Sequence, residues 1–402
     1  MGTASSIRAY TGPVFFERGF RPFFFAAGAL GAAALPLWLY LFASGADLPA
    51  YVSGREWHIH EMLYGYLAAA MTGFVLTAVP NWTGRMPVTG GRLAALFVLW
   101  LAGRLAFFFS AAAPAFMAAV DAAYLVALAA LVWREVIAGG NRRNIPVCML
   151  VSLLALANVL FHVTRLTETV IIDGLFDERL GLAAAATLLM LIGGRVTPSF
   201  TRNWLMRQGI MDEAKMPAPM GPLDKSAALV ALVALGLWLF LPDWKLTAFA
   251  FAVAAVRHFM RVARWKGLST FAEPLVTILH VGYFWLPVWF LLMAVSIAWP
   301  EVLGYSTAVH ALTAGAITTM TLAIMTRASL GHSGRKLTAN RITTAIYVLA
   351  VTGAIVRICA PFLPFGYIGS IHLAGSLTAL AFLLFAWHYA PIFFRPRPKQ
   401  QA

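Results

Sequence analysis

Charge is scarce in this chain. Only 11% of its 402 residues are Asp, Glu, Lys or Arg, and 61% are hydrophobic, where a soluble domain carries about 25% charged residues. Acids are the rarer sign, 16 against 30 basic residues. Cysteine is almost missing. Cys148 and Cys359 stand far apart in apolar runs, which excludes a disulfide framework, and no C-x-x-C-H run offers covalent haem attachment. No G-x-x-x-x-G-K loop is present, which excludes an ATP-driven pump. No nucleophile triad can be assembled. The 15 methionines form no Met-x-x-Met cluster and read as packing. The net charge of +14 is scattered over short loops and forms no stripe, which excludes a nucleic-acid partner. Residues 1–19 have neither an apolar core nor a small-residue cleavage site, so the first span is expected to direct insertion itself.

What the chain has in abundance is apolar length. A helix needs roughly 20 apolar residues to cross a bilayer, and inside lipid every backbone group must be bonded internally, so spans of that length are helices. Twelve are expected, at about 20–42, 58–80, 90–110, 112–134, 145–165, 179–199, 224–242, 244–264, 272–297, 306–327, 341–362 and 366–389. The reading is an all-α polytopic membrane protein, residues 1–402 forming one integral membrane domain. Residues 200–224, with "MPAPMGP", form the one long polar connector. Six of the 30 basic residues, Arg55, Arg104, Arg165, Arg179, Lys245 and Arg357, fall on one side, and the others fall on the side of the termini. Positive residues stay cytoplasmic, so both termini and the 200–224 loop are expected in the cytoplasm, with membrane lipids as surroundings.

The histidines then sort by level. His58, His60, His162, His310 and His372 fall toward the outer face, and His258, His280, His332 and His388 toward the inner. The segment "REWHIHEMLY" (55–64) opens the second span. Imidazole is the commonest side-chain metal ligand near neutral pH. Residues two apart on a helix point about 200° apart, so a helical His58 and His60 cannot share an ion. An interfacial cap, with Trp57 in the aromatic belt, is the competing reading. His310 opens the tenth span ahead of Gly315 and a row of threonines. His162 has Asn158 one turn before it on the same face. His372 and His280 each lie in a span beside small residues. Arg104 and Arg357 sit inside spans and require an anion; Asp121 is the simplest partner for the first, a cofactor carboxylate the other choice. Arg257, Arg261, Arg264 and Lys266 are expected to be topology signals and lipid contacts. A shift of 250 residues lays His60 on His310, Gly65 on Gly315, Gly84 on Gly334 and Arg85 on Arg335, the mark of a possible internal repeat of four-helix units.

The stretches "GFRPFF" (19–24), "WHIHEMLYGY" (57–66), "GFVLTAVPNWTGR" (73–85), "GRVTPSFTRN" (194–203) and "HALTAGAITTMTLAIMTRASLGHSGR" (310–335) resemble the NnrS family of bacterial multi-span proteins, from about residue 15 to 395. The resemblance implies haem and copper as cofactors and a part in nitric oxide tolerance or denitrification. A second likeness, of architecture alone, is to subunit I of haem–copper oxidases. Spans six and seven carry no histidine here, so that enzyme's copper site is not expected. On this reading a haem b is bound by His60 and His310, with Arg104 and Arg357 toward its propionates. A second centre, copper or another haem, draws on His58, His162 and His372, and more weakly on His280. Nitric oxide would bind at one of these metals near the outer face. The alternative is a transporter of a metal ion, a haem-related solute or protons, with the histidines as passing cargo ligands.

Overall fold

The structure, a computed structural model, describes residues 10–364 and 366–397; the first nine residues of the expected leader-free segment lie outside it. Among the described residues there is no strand, and twelve helices are long and apolar enough to cross a membrane. They are α1 (Phe20–Ser44), α2 (Gly54–Thr83), α3 (Gly90–Phe108), α4 (Pro114–Ala138), α5 (Arg142–Thr167), α6 (Phe176–Arg207), α7 (Pro222–Phe240), α8 (Lys245–Ala263), α9 (Pro274–Ala298), α10 (Tyr305–His332), α11 (Arg341–Phe362) and α12 (Tyr367–Phe394). The chain is a multi-pass membrane protein.

Helix ends follow local chemistry. Ser53 caps α2 with a reciprocal box: its Oγ accepts the Glu56 N–H at 3.3 Å, and Glu56 Oε2 accepts the Ser53 N–H at 2.9 Å, which satisfies two otherwise orphaned donors. The α3–α4 turn is closed by Pro114 at the first position of α4, where the missing N–H costs nothing. The 200–224 connector is shorter and firmer than its composition suggests. α6 continues to Arg207, Thr201 returns its hydroxyl to the Thr197 carbonyl at 2.8 Å, Met216 is buried, and the Ala218 N–H donates to the Arg264 carbonyl at 3.1 Å. Polar composition does not reveal that Met216 and Pro217 are buried and anchor the loop.

The chain divides into two compact units. Unit 1 holds residues 1–184, 325–337 and 382–402, and unit 2 holds 185–324 and 338–381. In unit 2 the core is aromatic: Trp238, Phe251, Trp289 and Phe290 meet edge to face or tilted, with Trp238 and Trp289 centroids 5.9 Å apart, geometry that suits ring quadrupoles. In unit 1 the motif "GFRPFF" acquires a physical reason. Arg21 is buried, and its Nη1 donates to the carbonyls of Ile392 at 2.6 Å, Phe393 at 3.3 Å and Arg395 at 3.0 Å. Its Nη2 pairs with Glu17 at 2.9 Å. A guanidinium thus caps the C-terminal carbonyls of α12, where the helix dipole is negative. Arg21→Ala should lower stability by about 2–3 kcal/mol, the worth of hydrogen bonds to one charged group, seen as a lower melting temperature in detergent.

Each unit also carries the same irregularity. The helix passes into a π-helical turn at Glu61–Leu67 in α2 and at Ala311–Ile317 in α10. Each turn starts immediately after one histidine of the 250-residue match, His60 or His310. π-turns are uncommon and gather at functional sites, so their coincidence in register adds to the sequence match.

Candidate metal centre

Because Gly54–His60 is helical, His58 and His60 diverge. His58 stacks on Trp38, with centroids 4.7 Å apart at 13°. His60 turns inward and is wholly buried. Its Nε2 lies 3.0 Å from Asp121 Oδ2 on α4 and 3.0 Å from Asn158 Oδ1 on α5. One turn beyond Asn158, His162 brings its own Nε2 to 2.8 Å from the same Asp121 Oδ2. Three elements therefore deliver two imidazole nitrogens and one carboxylate oxygen, all within 4.8 Å of one another. Around an ion with ligand bonds of about 2.0–2.2 Å, neighbouring donor atoms stand roughly 3 Å apart, so the observed spacing suits one ion.

The surroundings hold these atoms in place. Arg104 reaches from α3 to Asp121 Oδ1 and, at 2.7 Å, to Glu61 Oε1, so Asp121 presents only Oδ2 to the imidazoles. Asn158 Nδ2 donates to Asp121 Oδ2 at 3.1 Å. His60 Nδ1 is 3.6 Å from Glu61 Oε1. Two close approaches make room. A side chain at Gly65 would run into Arg104 Nη1 at 2.8 Å, and one at Gly103 would meet Asp121 Oδ1 at 3.0 Å. Tyr51, in the loop before α2, places its Oη 2.5 Å from His162 Nδ1. Burial pushes the Tyr51 phenol up, with the Asp121 charge adding to it, so it stays an uncharged O–H at that nitrogen. The phenol oxygen can accept the His162 Nδ1–H, the tautomer that leaves the Nε2 lone pair toward Asp121, and such an acceptor on the far ring nitrogen is the usual orienting device for a metal-binding histidine. The walls are aromatic: the His60 ring lies 3.9 Å from Phe107, 4.9 Å from Phe161 and 5.1 Å from Tyr64, centroid to centroid.

Charge counting gives the same answer as geometry. The buried cluster holds two carboxylates, Asp121 and Glu61, against one guanidinium, Arg104. That leaves one negative charge in excess. Buried charges must be paired or must coordinate metal, so the cluster accepts one further positive charge, from a bound cation or from a proton on His60 or His162.

The family comparison agrees with the motifs. The chain matches the family described as NnrS protein over residues 14–397, nearly its whole length. The chain belongs to the NnrS family. No curated protein matches it. In this NnrS chain, His60 and His162 share one cluster, whereas His162 was expected to group with His58 and His372. His310 and His372 belong to unit 2, where His310 Nδ1 donates to the Ser306 carbonyl at 2.6 Å and His372 is half-buried on α12. The two histidines expected to share one iron fall in different units, His60 in unit 1 and His310 in unit 2. His280 donates through Nε2 to Thr201 Oγ1 at 2.7 Å and packs its other ring edge on Gly267. Of the two span-embedded arginines, Arg104 is paired with Asp121 and Glu61, and Arg357 Nη2 donates to Ser306 Oγ at 2.9 Å.

Asp121 is the member that reasoning from sequence undervalued, taken as a counter-ion of Arg104 and not as a possible ligand. A carboxylate in the middle of an apolar span was the available signal. Arg261 is the clearest correction. It does not face lipid: it is buried, its Nε donates to Asp224 Oδ1 at 2.8 Å and its Nη1 to Tyr283 Oη at 2.6 Å. A basic residue at the end of a span satisfies a topology rule whether it points outward or into a core, so charge distribution alone could not separate the two.

Proposed function

We propose that this chain serves the bacterial response to nitric oxide, binding or removing NO at a copper ion held by His60, Asp121 and His162. In the same reading it lies in the cytoplasmic membrane with both termini in the cytoplasm, as the loop charges require. The observation that supports it most is the convergence of two buried imidazole Nε2 atoms on one carboxylate oxygen at 2.8 and 3.0 Å. Membership of the NnrS family points to the nitric oxide response. Imidazole donors suit copper, and two imidazoles with one carboxylate leave coordination positions open.

A bound copper ion would supply a one-electron centre to which a small neutral ligand can attach. The protein's own residues set the conditions. Arg104 holds Asp121 by Oδ1, Asn158 and Tyr51 fix the two imidazoles, and the rings of Phe107 and Phe161 keep bulk water away. NO, small and apolar, reaches such a site through the lipid phase. Haem b would be the second cofactor of this reading, held at His310. The Nδ1–H of His310 is given to the Ser306 carbonyl, which makes Nε2 the nitrogen that carries the lone pair. His60, directed at Asp121 and Asn158, is assigned to copper.

Purification in detergent without added metal, followed by metal analysis and by spectra of the oxidised, reduced and NO-treated protein, tests the proposal. Wild-type protein should retain stoichiometric copper whose electron paramagnetic resonance responds to NO, and His162→Ala should lose it. A His162→Ala protein with wild-type copper content would overturn the assignment. A transporter would release its cargo during purification, so retained metal also separates the two classes.

A further inference from the structure

The two π-turns invite a comparison of what surrounds them. In unit 1 the turn follows His60, and an arginine of the next span, Arg104, reaches back to its first residue, Glu61. In unit 2 the turn follows His310, and an arginine of the next span, Arg357, reaches back to Ser306, one turn before the histidine. Ser306 serves both partners: its carbonyl accepts from His310 Nδ1 and its hydroxyl from Arg357 Nη2. The scaffold of histidine, π-turn and following-span arginine is thus present twice.

The charge is not repeated. Arg104 has two carboxylate partners. The residue that corresponds to Glu61 is Ala311, and no Asp or Glu occurs anywhere after Glu301. Among the described residues Arg357 makes no ion pair with Asp or Glu, and its polar neighbours are the hydroxyls of Ser306 and Tyr367. Its Nη1 is buried without a hydrogen-bond partner. A guanidinium inside a membrane span is costly unless an anion meets it, and its planar fork fits carboxylate or phosphate oxygens. One copy of the scaffold therefore carries its own acids and suits a cation. The other lacks them and suits an anion.

We propose that Arg357, seated on Ser306 beside His310, is a binding site for an anionic oxygen group on a ligand that enters unit 2 from the membrane. The chemistry is a carboxylate or a phosphate, and two sources offer it: a haem propionate, with the iron at His310, or the headgroup of an anionic phospholipid. The site rests on the duplicated scaffold and not on a metal at His60, so its failure leaves the copper assignment untouched.

Two arms distinguish the sources. In the first, haem-depleted protein is titrated with hemin and followed in the Soret region. In the second, protein from nanodiscs of phosphatidylcholine with phosphatidylglycerol is examined by native mass spectrometry for retained phosphatidylglycerol. Arg357→Gln should weaken one of the two by about tenfold or more, the loss of a charge-assisted hydrogen bond. A loss in the hemin arm identifies a propionate, and a loss in the lipid arm a headgroup. Ser306→Ala, an exposed position, should weaken the same arm to a smaller extent and serves as the reading if Arg357→Gln does not fold. Unchanged hemin and lipid binding in the folded variants would overturn the proposal.

Discussion

Asp121→Ala should be the most damaging single substitution in unit 1, lowering stability by about 3–5 kcal/mol and abolishing metal retention. The carboxylate is fully buried and is the common partner of Arg104, Asn158, His60 and His162. Alanine leaves a buried guanidinium with Glu61 alone, strips the His162 Nε2 of its partner and leaves the His60 Nε2 only Asn158 Oδ1, and removal of one member of a buried ion pair is far costlier than the pair is worth. Asp121→Asn separates support from ligation. The amide keeps the shape and still accepts from Arg104, and the cluster becomes electrically balanced, one carboxylate against one guanidinium. It should therefore fold with a much smaller loss in melting temperature, yet hold no copper, because a neutral amide is a poor ligand beside two imidazoles. Thermal unfolding in detergent and metal analysis, run on both variants, check the two halves. An Asp121→Asn protein with wild-type copper would show that the carboxylate is a counter-ion only.

The second large effect is expected at Arg261 in unit 2. Arg261→Met should cost about 3–5 kcal/mol, since it leaves the buried Asp224 with Arg264, at 3.3 Å, as its one remaining cation beside the Gly221 N–H, and removes the bond to Tyr283. Arg261→Lys should not restore it. A single ammonium cannot reproduce the fork that serves Asp224 through Nε and Tyr283 through Nη1. Asp224→Asn alone should be destabilising as well, and the double variant with Arg261→Met should lose less than the sum of the singles, with a coupling of about 1–3 kcal/mol. Strict additivity in that cycle would mean that the two side chains stabilise unit 2 independently.

The regular part of this architecture was readable from apolar run length, because a span in lipid has no alternative to a helix. All twelve segments are helical, though α6 and α10 run past the ends that hydropathy suggested, to Arg207 and His332. Polar residues can prolong a helix beyond the lipid core, and hydropathy reports only the core. His60 and His162 were visible as candidates because imidazole in a span is rare. The divergence of His58 from His60 followed from helical phase alone. What connected them was not visible. Asp121, Asn158 and His162 meet His60 through the rotation and depth of α4 and α5 against α2, and contacts 37–98 residues apart in sequence leave no local trace. The same applies to Arg261. The π-turns were hidden for a different reason: a fifth-residue hydrogen bond needs no special residue type, so "EMLYGYL" and "ALTAGAI" share little beyond their glycine.

The cap on α12 carries a consequence for how the protein is made. Arg21 emerges from the ribosome 371 to 374 residues ahead of the carbonyls it holds, those of Ile392, Phe393 and Arg395. Unit 1 likewise takes in a segment, from residue 382 onward, that follows all of unit 2 in sequence. During co-translational insertion the Arg21 guanidinium must wait, held in the interim by Glu17, until α12 has been made. The clasp closes only once α12 has been made, so a product that stops short of α12 keeps a buried guanidinium in its first helix with Glu17 as its one partner, the kind of defect that membrane quality control removes.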